Sequence, residues 1–210
     1  MNSATVVSRR IRARSGEGER LREEILTATE QLLLELGDDG AVSVRAVAER
    51  AGCTAPSIYM HFDDKTDLLF EVCSRVFRAL DEDIAAATSG LAGSLERLAA
   101  GHRAFIRFGL RYPEHYRILF MGKPILTADQ WADLRLSGVA GFERLTQRCQ
   151  ACIDAGEFAI DDANLAATYL WSAGHGFVSL RISKPGFDWP DETTAIEHLV
   201  HANIEGLRRK

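Results

Sequence analysis

Tyr59, His61 and Lys65 stand within seven residues of one another, just after the glycine at position 52. A phenol, an imidazole and an ammonium so close together suit two kinds of chemistry. They could act as proton donor, proton acceptor and charge stabiliser in a catalytic site. They could equally donate hydrogen bonds to a row of phosphate oxygens. Other candidate chemistry is sparser. Cys149 and Cys152 have C-x-x-C spacing, a redox or zinc signal when a second ligand pair is near. They sit inside the unbroken helical pattern "FERLTQRCQACIDAGE" with no such pair nearby, and read as buried thiols. His198 and His201 lie three residues apart on the last predicted helix, two ligands for a metal without an evident third. No glycine-rich phosphate loop, no H-E-x-x-H and no nucleophile–base pair stands out. The residues predict no catalytic site, no metal and no cofactor. A helical enzyme, or a metal-binding sensor using the C-terminal part, is the alternative reading.

The elements that hold these residues read as helices. Hydrophobic residues make up 46% of 210, with only five prolines, and the apolar positions recur at helical spacing. The expected fold class is all-α. Leu21, Ile25, Ala28, Leu32 and Leu36 form one face of a helix from about Glu19 to Leu36, which "GDDG" ends. Ser43 is an N-cap for "SVRAVAERAG", and Gly52 closes that helix in the position where glycine relieves a left-handed backbone. Thr54 caps a third, short helix from about Ala55 to His61, with Pro56 in its first turn, where a missing N–H costs nothing. Two short helices about a tight turn make a helix-turn-helix pattern. Asp63 and Asp64 start a fourth helix, to about Thr88, with Leu69, Val72, Val76, Leu80 and Ile84 as its apolar stripe. Further helices are predicted at about 93–111, 114–121, 128–155, 161–182 and 192–208, broken at Tyr112-Pro113, Lys123-Pro124, Gly156 and Lys184-Pro185.

The net charge is -5, yet residues 1–22 carry six arginines (Arg9, Arg10, Arg12, Arg14, Arg20, Arg22) against Glu17 and Glu19, a local excess of four positive charges. Such an arm is a solvated tail or a strand of contacts along a phosphate backbone. No apolar run is long enough to span a membrane. The N-terminus lacks the apolar core of a signal peptide, so a cytoplasmic location and reduced thiols are expected.

The ordered set "ILTATEQLLLELG…SVRAVAERAGCTAPSIYMHFDDKTDLL" resembles the DNA-binding domain of the tetracycline-repressor (TetR) family of bacterial regulators, over roughly Leu21 to Leu69. "WSAGHG" at 171–176 is similar to the tryptophan–histidine–glycine signature of one C-terminal subclass. The charge pattern makes residues 1–18 a basic, disordered arm, and the resemblance implies a three-helix DNA-binding head at 19–65 and a larger helical ligand-binding and dimerisation domain at 66–210. It implies a double-stranded operator, a small-molecule effector that weakens operator binding, and a homodimer through about residues 161–208. The expected function is a repressor released from a palindromic operator by a small, largely apolar ligand.

On that reading the DNA-contacting residues are Ser43, Arg45, Thr54, Ala55, Pro56, Ser57, Tyr59, Met60, His61 and Lys65. Tyr59, His61 and Lys65 match family residues that contact the DNA backbone, although Tyr59 could instead pack under Phe62. Arg45 matches an arginine that reaches a guanine, the best direct reader here. Ala55 and Met60 stand where polar side chains would hydrogen-bond to bases, and Ala55 and Pro56 offer apolar surface to thymine methyls. In the body, Phe105, Phe108, Tyr112, Trp131, Trp171 and His175 are the candidate ligand contacts, with His102 as a second polar group facing the cavity. An aromatic stripe at helical spacing also reads as plain core. Ala166, Ala167, Ala173, Gly174 and Gly176 are small enough for close helix approach, and Ile196, Leu199, Val200, Asn203 and Leu207 stripe the final helix. These features suit association, or, for the final stripe, covering the chain's own core.

Overall fold

The computed structural model describes residues 17–37, 39–121, 129 and 141–209. Arg9, Arg10, Arg12, Arg14 and Trp131 lie outside the described residues, as do most of residues 128–140 of the predicted helix 128–155. The described chain is helical: α1 Glu17–Leu36, α2 Val44–Arg50, α3 Ala55–Ile58, α4 Lys65–Thr88, α5 Ser94–Arg111, α6 Pro113–Tyr116, α7 Gly141–Asp154, α8 Ala163–Ser183 and α9 Glu192–Glu205. A π-helical turn, Arg117–Met121, continues α6. Among the described residues no helix is long and apolar enough to cross a membrane.

Local chemistry sets the early boundaries. The Ser43 hydroxyl accepts from the Ala46 amide at 3.2 Å and so caps α2. Gly52 turns the chain at φ +66°. Asp64 caps α4 by accepting from the Asp67 amide at 2.9 Å. Thr54 occupies the N-cap position of α3 but spends its hydroxyl on Ser57 Oγ, 2.8 Å away, instead of on a backbone amide. α3 is also shorter than predicted. It gives way at Tyr59 to tight turns, in which His61 and Phe62 amides both donate to Ile58 O.

Packing then divides the apolar side chains. Ile25, Leu26, Leu33, Val47, Ile58, Phe62, Leu68 and Leu69 close one core, in the head. Leu98, Ile106, Tyr116, Cys149, Cys152, Ala166, Leu170, Val178, Ile196 and Val200 close a second, in the body. Between them Val76, Leu80, Ile84 and Phe108 form a third cluster. The 24 residues of α4 supply the first and the third. At ~1.5 Å per residue, that rod is roughly 36 Å long.

Two expectations about the last helices change. Ala166, Ala167 and Gly174 are buried against the chain's own core, and a Cβ on Gly174 would meet His102 at 3.0 Å and Phe105 at 3.2 Å. The smallness of Gly174 serves α5 of the same chain, whereas Ala173 and Gly176 are half-buried and a Cβ on Gly176 would meet nothing within 4 Å. Ile196, Val200 and Asn203 are likewise buried, so the α9 stripe covers this chain's core. What α8 and the segment after it expose is Leu165, Tyr169, Trp171, Leu180 and Phe187. Cys149 and Cys152 are fully buried free thiols, each pushed up to about 12 by burial above all.

Candidate functional site

The head turns its apolar side inward and leaves a polar, partly aromatic face outside. On α3 and its exit turn, Ile58 and Phe62 are buried, so Tyr59 (54% exposed) and Met60 (83% exposed) point to solvent. Tyr59 therefore does not pack under Phe62. Pro56 is exposed, whereas Ala55, Ser57 and His61 are half-buried. The His61 ring lies against α1, with its Cε1 3.8 Å from where a Gly18 Cβ would stand. Lys65 is half-buried in the first turn of α4.

Two arginines on α2 have different work. Arg50 holds Glu35 through both guanidinium nitrogens at 2.7 Å, which ties α2 to α1. Its partner Glu35 is held below the ordinary carboxylate value by that hydrogen bond. Arg45 is exposed and has no hydrogen bond or ion pair among the described residues. A fork of five donors is thus left for something outside the chain. Ser43 is exposed too, but its hydroxyl is engaged in capping.

A cavity of about 1060 Å³ lies in the body, at the upper end of the roughly 300–1,000 Å³ range of ligand pockets. α4 lines it with Phe77, Leu80, Asp81 and Ile84; α5 with Leu98, Gly101, His102 and Phe105; the π turn with Leu119 and Phe120. Phe142, Leu145, Thr146 and Arg148 of α7 and Asn164 and Trp171 of α8 complete most of the wall. Phe105 and Trp171 stand where the sequence placed them. His175 lies just behind the wall, its ring centroid 5.1 Å from Phe105, 4.7 Å from Phe120 and 4.6 Å from Trp171. Its Nδ1 shares a hydrogen bond with the Tyr116 hydroxyl. Phe108 and Tyr112 are not on this wall. One turn further along α5, Phe108 is drawn into the cluster with Val76 and Leu80, and Tyr112 stacks on it at 5.0 Å.

Burial governs the ionisable groups here. His102 and His175 are each pulled down to about 4, chiefly by desolvation, so both are neutral near pH 7. Burial raises Asp81 despite Arg144 at 2.8 Å, and lowers Arg148. Nε2 of both histidines is buried without a hydrogen-bond partner among the described residues. Asp81, Arg148 and Asn164 were missed from sequence. Arg148 falls on the Leu145–Cys152 side of α7, a cation where the pattern wants a hydrophobe, and that is the signal it leaves. The described residues contain no group of three or more His, Cys, Asp or Glu placed to hold a metal.

Comparison with known proteins covers both regions. Residues 25–72 match the family described as "Bacterial regulatory proteins, tetR family". Residues 98–203, half of the chain, match "Tetracyclin repressor-like, C-terminal domain". The HTH-type transcriptional activator FasR of Mycolicibacterium smegmatis is 24% identical over 192 residues, 89% of this chain and 82% of that protein. Among solved structures, a Rhodococcus sp. RHA1 protein of unknown function has a TM-score of 0.75 at 22% identity, covering 90% of this chain and 96% of that one. A putative TetR-family regulator from Vibrio parahaemolyticus has 0.69 at 21%, covering 90% and 100%. These likenesses show a shared fold. The family is one of transcription factors, not enzymes, built to bind operator DNA and to hold an effector in the C-terminal domain. With both its head and half its length matched, the chain belongs to the TetR family of DNA-binding transcriptional regulators.

Proposed function

We propose that the chain is a homodimeric repressor, released from a palindromic operator by a largely apolar effector in the body cavity. The observation that carries this is the double use of α4. Its first turns lie in the head core beside Lys65, and Phe77, Leu80, Asp81 and Ile84 of the same helix wall the cavity. A ligand that tilts α4 moves the DNA-contacting face. A second link runs in parallel. Leu119 and Phe120 of the π turn line the cavity, and His115, on α6 just before it, meets Glu30 of α1 at 2.7 Å. π turns are frequent at functional sites. A ligand shifts such an equilibrium only by its differential affinity for the two states, so a hundredfold loss of operator binding needs about 2.7 kcal/mol.

On this reading exposed Arg45 reads a base, exposed Pro56, Tyr59 and Met60 offer contact surface, and half-buried His61 and Lys65 serve flanking phosphates. Exposed Leu165, Tyr169 and Leu180 on α8 support a homodimer through α8 and α9. Two heads on a twofold would meet successive major grooves about 34–36 Å apart. The test is fluorescence anisotropy on an operator selected from random fragments, with and without a small-molecule library. Protection of a two-half-site palindrome, lost on adding an apolar compound, is expected. A single asymmetric half-site, or an affinity that no compound alters, overturns the reading. The M. smegmatis relative is an activator, which favours activation as a second reading; transcription in vitro from a promoter carrying the operator decides the sign.

A further inference from the structure

Arg148 on the cavity wall has no hydrogen bond or ion pair among the described residues. Its guanidinium carbon lies 3.6 Å from where a Cβ would stand on Gly101, so it rests against bare α5 backbone between that helix and Thr88 of α4. Asp81 favours the Arg148 cation but makes its ion pair with Arg144, at 2.8 Å, while Arg144 and Arg97 add opposing positive potential. Half-buried cations in apolar surroundings normally have a partner, because an unpaired one loses hydration without return. His102 follows Gly101 in the chain. It is 3% exposed, lines the same cavity, and leaves Nε2 without a partner. The rest of the wall is largely apolar, with Leu80, Ile84, Leu119, Phe120 and Trp171, and its other polar side chains include Asp81, Thr146 and Asn164.

We propose that the effector is an amphipathic organic anion, a carboxylate or phosphate monoester on an apolar chain, with its headgroup on Arg148 and a hydrogen bond to His102 Nε2. This rests on the reading of the cavity as the effector site. It narrows the ligand from apolar to anionic with an apolar tail, because a neutral ligand of the same shape would leave the guanidinium unpaired. A planar fork of donors suits either oxyanion.

The test is calorimetric titration of the full chain with decanoate, decyl phosphate and decanol, repeated on Arg148→Gln. Decanoate or decyl phosphate should bind about tenfold or more tightly than decanol, as charge-assisted hydrogen bonds require. Whichever anion is preferred assigns the headgroup, carboxylate or phosphate, and either preference supports the proposal. Arg148→Gln should erase the preference while binding decanol as the wild type does. Equal binding of all three, no binding, or a preference that survives in Arg148→Gln overturns it. If Arg148→Gln fails to fold, the wild-type headgroup preference decides. Operator affinity measured alongside separates the two ideas. Release by decanol with no headgroup preference would leave the switch and remove the anion site. Decanoate held through Arg148 without release would leave the site and remove the switch.

Discussion

Gly52, in the turn of the head, has φ +66° and nothing within 4 Å of where a Cβ would stand; a Cβ on Gly109, in the body, would lie 2.7 Å from a Val178 methyl and 2.8 Å from the Tyr116 ring. One glycine answers to backbone conformation and the other to space. The polar groups divide the same way. Ser43 and Asp64 accept from the backbone amides of Ala46 and Asp67, and Arg50 pairs with Glu35, all within the head. All the buried side-chain atoms that lack partners among the described residues, on His102, His175, Arg181 and Asn203, belong to the body. The head is finished as a folded unit and has its free donor, Arg45, outside. The body keeps unmet polar groups inside, and one of them, His102, lines the cavity.

The largest effect should come from filling the body's tight contact. Gly109→Leu must displace Tyr116 and Val178, both at or below 1% exposed, and should cost about 3 kcal/mol, the upper end for overpacking, or roughly 6–12 °C in melting temperature. A melting temperature unchanged in Gly109→Leu would show that the body yields as easily as solvent and that space does not limit Gly109. On the head, Arg45→Ala should leave melting unaltered, yet relax preference at one base pair per half-site by about 1–3 kcal/mol. Selection of bound fragments that returns the wild-type preference would mean that another side chain reads the base.

How far each region could be read in advance follows from this difference. The head was legible because its signals are local: an N-cap at Ser43, a glycine turn at Gly52, a proline in the first turn of α3 and an unbroken apolar stripe from Leu69 to Ile84. Each acts within one or two turns of its own position. The cavity depends on side chains that only folding assembles. Asp81 and Arg144 meet across α4 and α7, and Arg148 rests on a glycine of α5. Aromatic residues at helical spacing point to Phe105 and Trp171, which line the cavity, but spacing alone does not say that Phe108 turns into the cluster with Val76. Smallness in α8 was visible; which neighbour needed it was not.

Gly52→Ala isolates the conformational demand of the head turn. An added methyl meets no atom, so any loss is backbone strain, about 1–2 kcal/mol for an L-residue held in the left-handed region. That corresponds to a few degrees in a thermal melt, with operator binding weakened in step because the turn sets the angle between α2 and α3. Substitution by asparagine, which tolerates the left-handed region, should recover part of the loss. If alanine and asparagine behave alike, the turn is not limited by its φ.

The smallest effect concerns the contact that joins the two regions. Glu30 of α1 accepts from His115 Nε2 at 2.7 Å, with Arg75 at 4.0 Å. The His115 hydrogen bond holds the Glu30 carboxyl below its ordinary value of 4.5, against the opposing effect of burial, and the charges of His115 and Arg75 add to the lowering. A carboxylate depressed in the folded state contributes stability that is fully present above the ordinary carboxylate range and disappears as pH falls through the lowered value. The wild-type melting temperature should therefore drop more steeply on acidification below about pH 4.5 than that of Glu30→Gln, and the two curves should converge at the acid end. Near pH 7 the cost of Glu30→Gln should be modest, about 1 kcal/mol or less, because the pair is only partly buried and exposed ion pairs contribute little. Coupling is the more telling readout. If the π turn and α6 relay the cavity to the head through this contact, Glu30→Gln should reduce the factor by which effector weakens operator binding while leaving operator affinity without effector nearly unchanged. An unaltered factor would assign transmission to α4 alone.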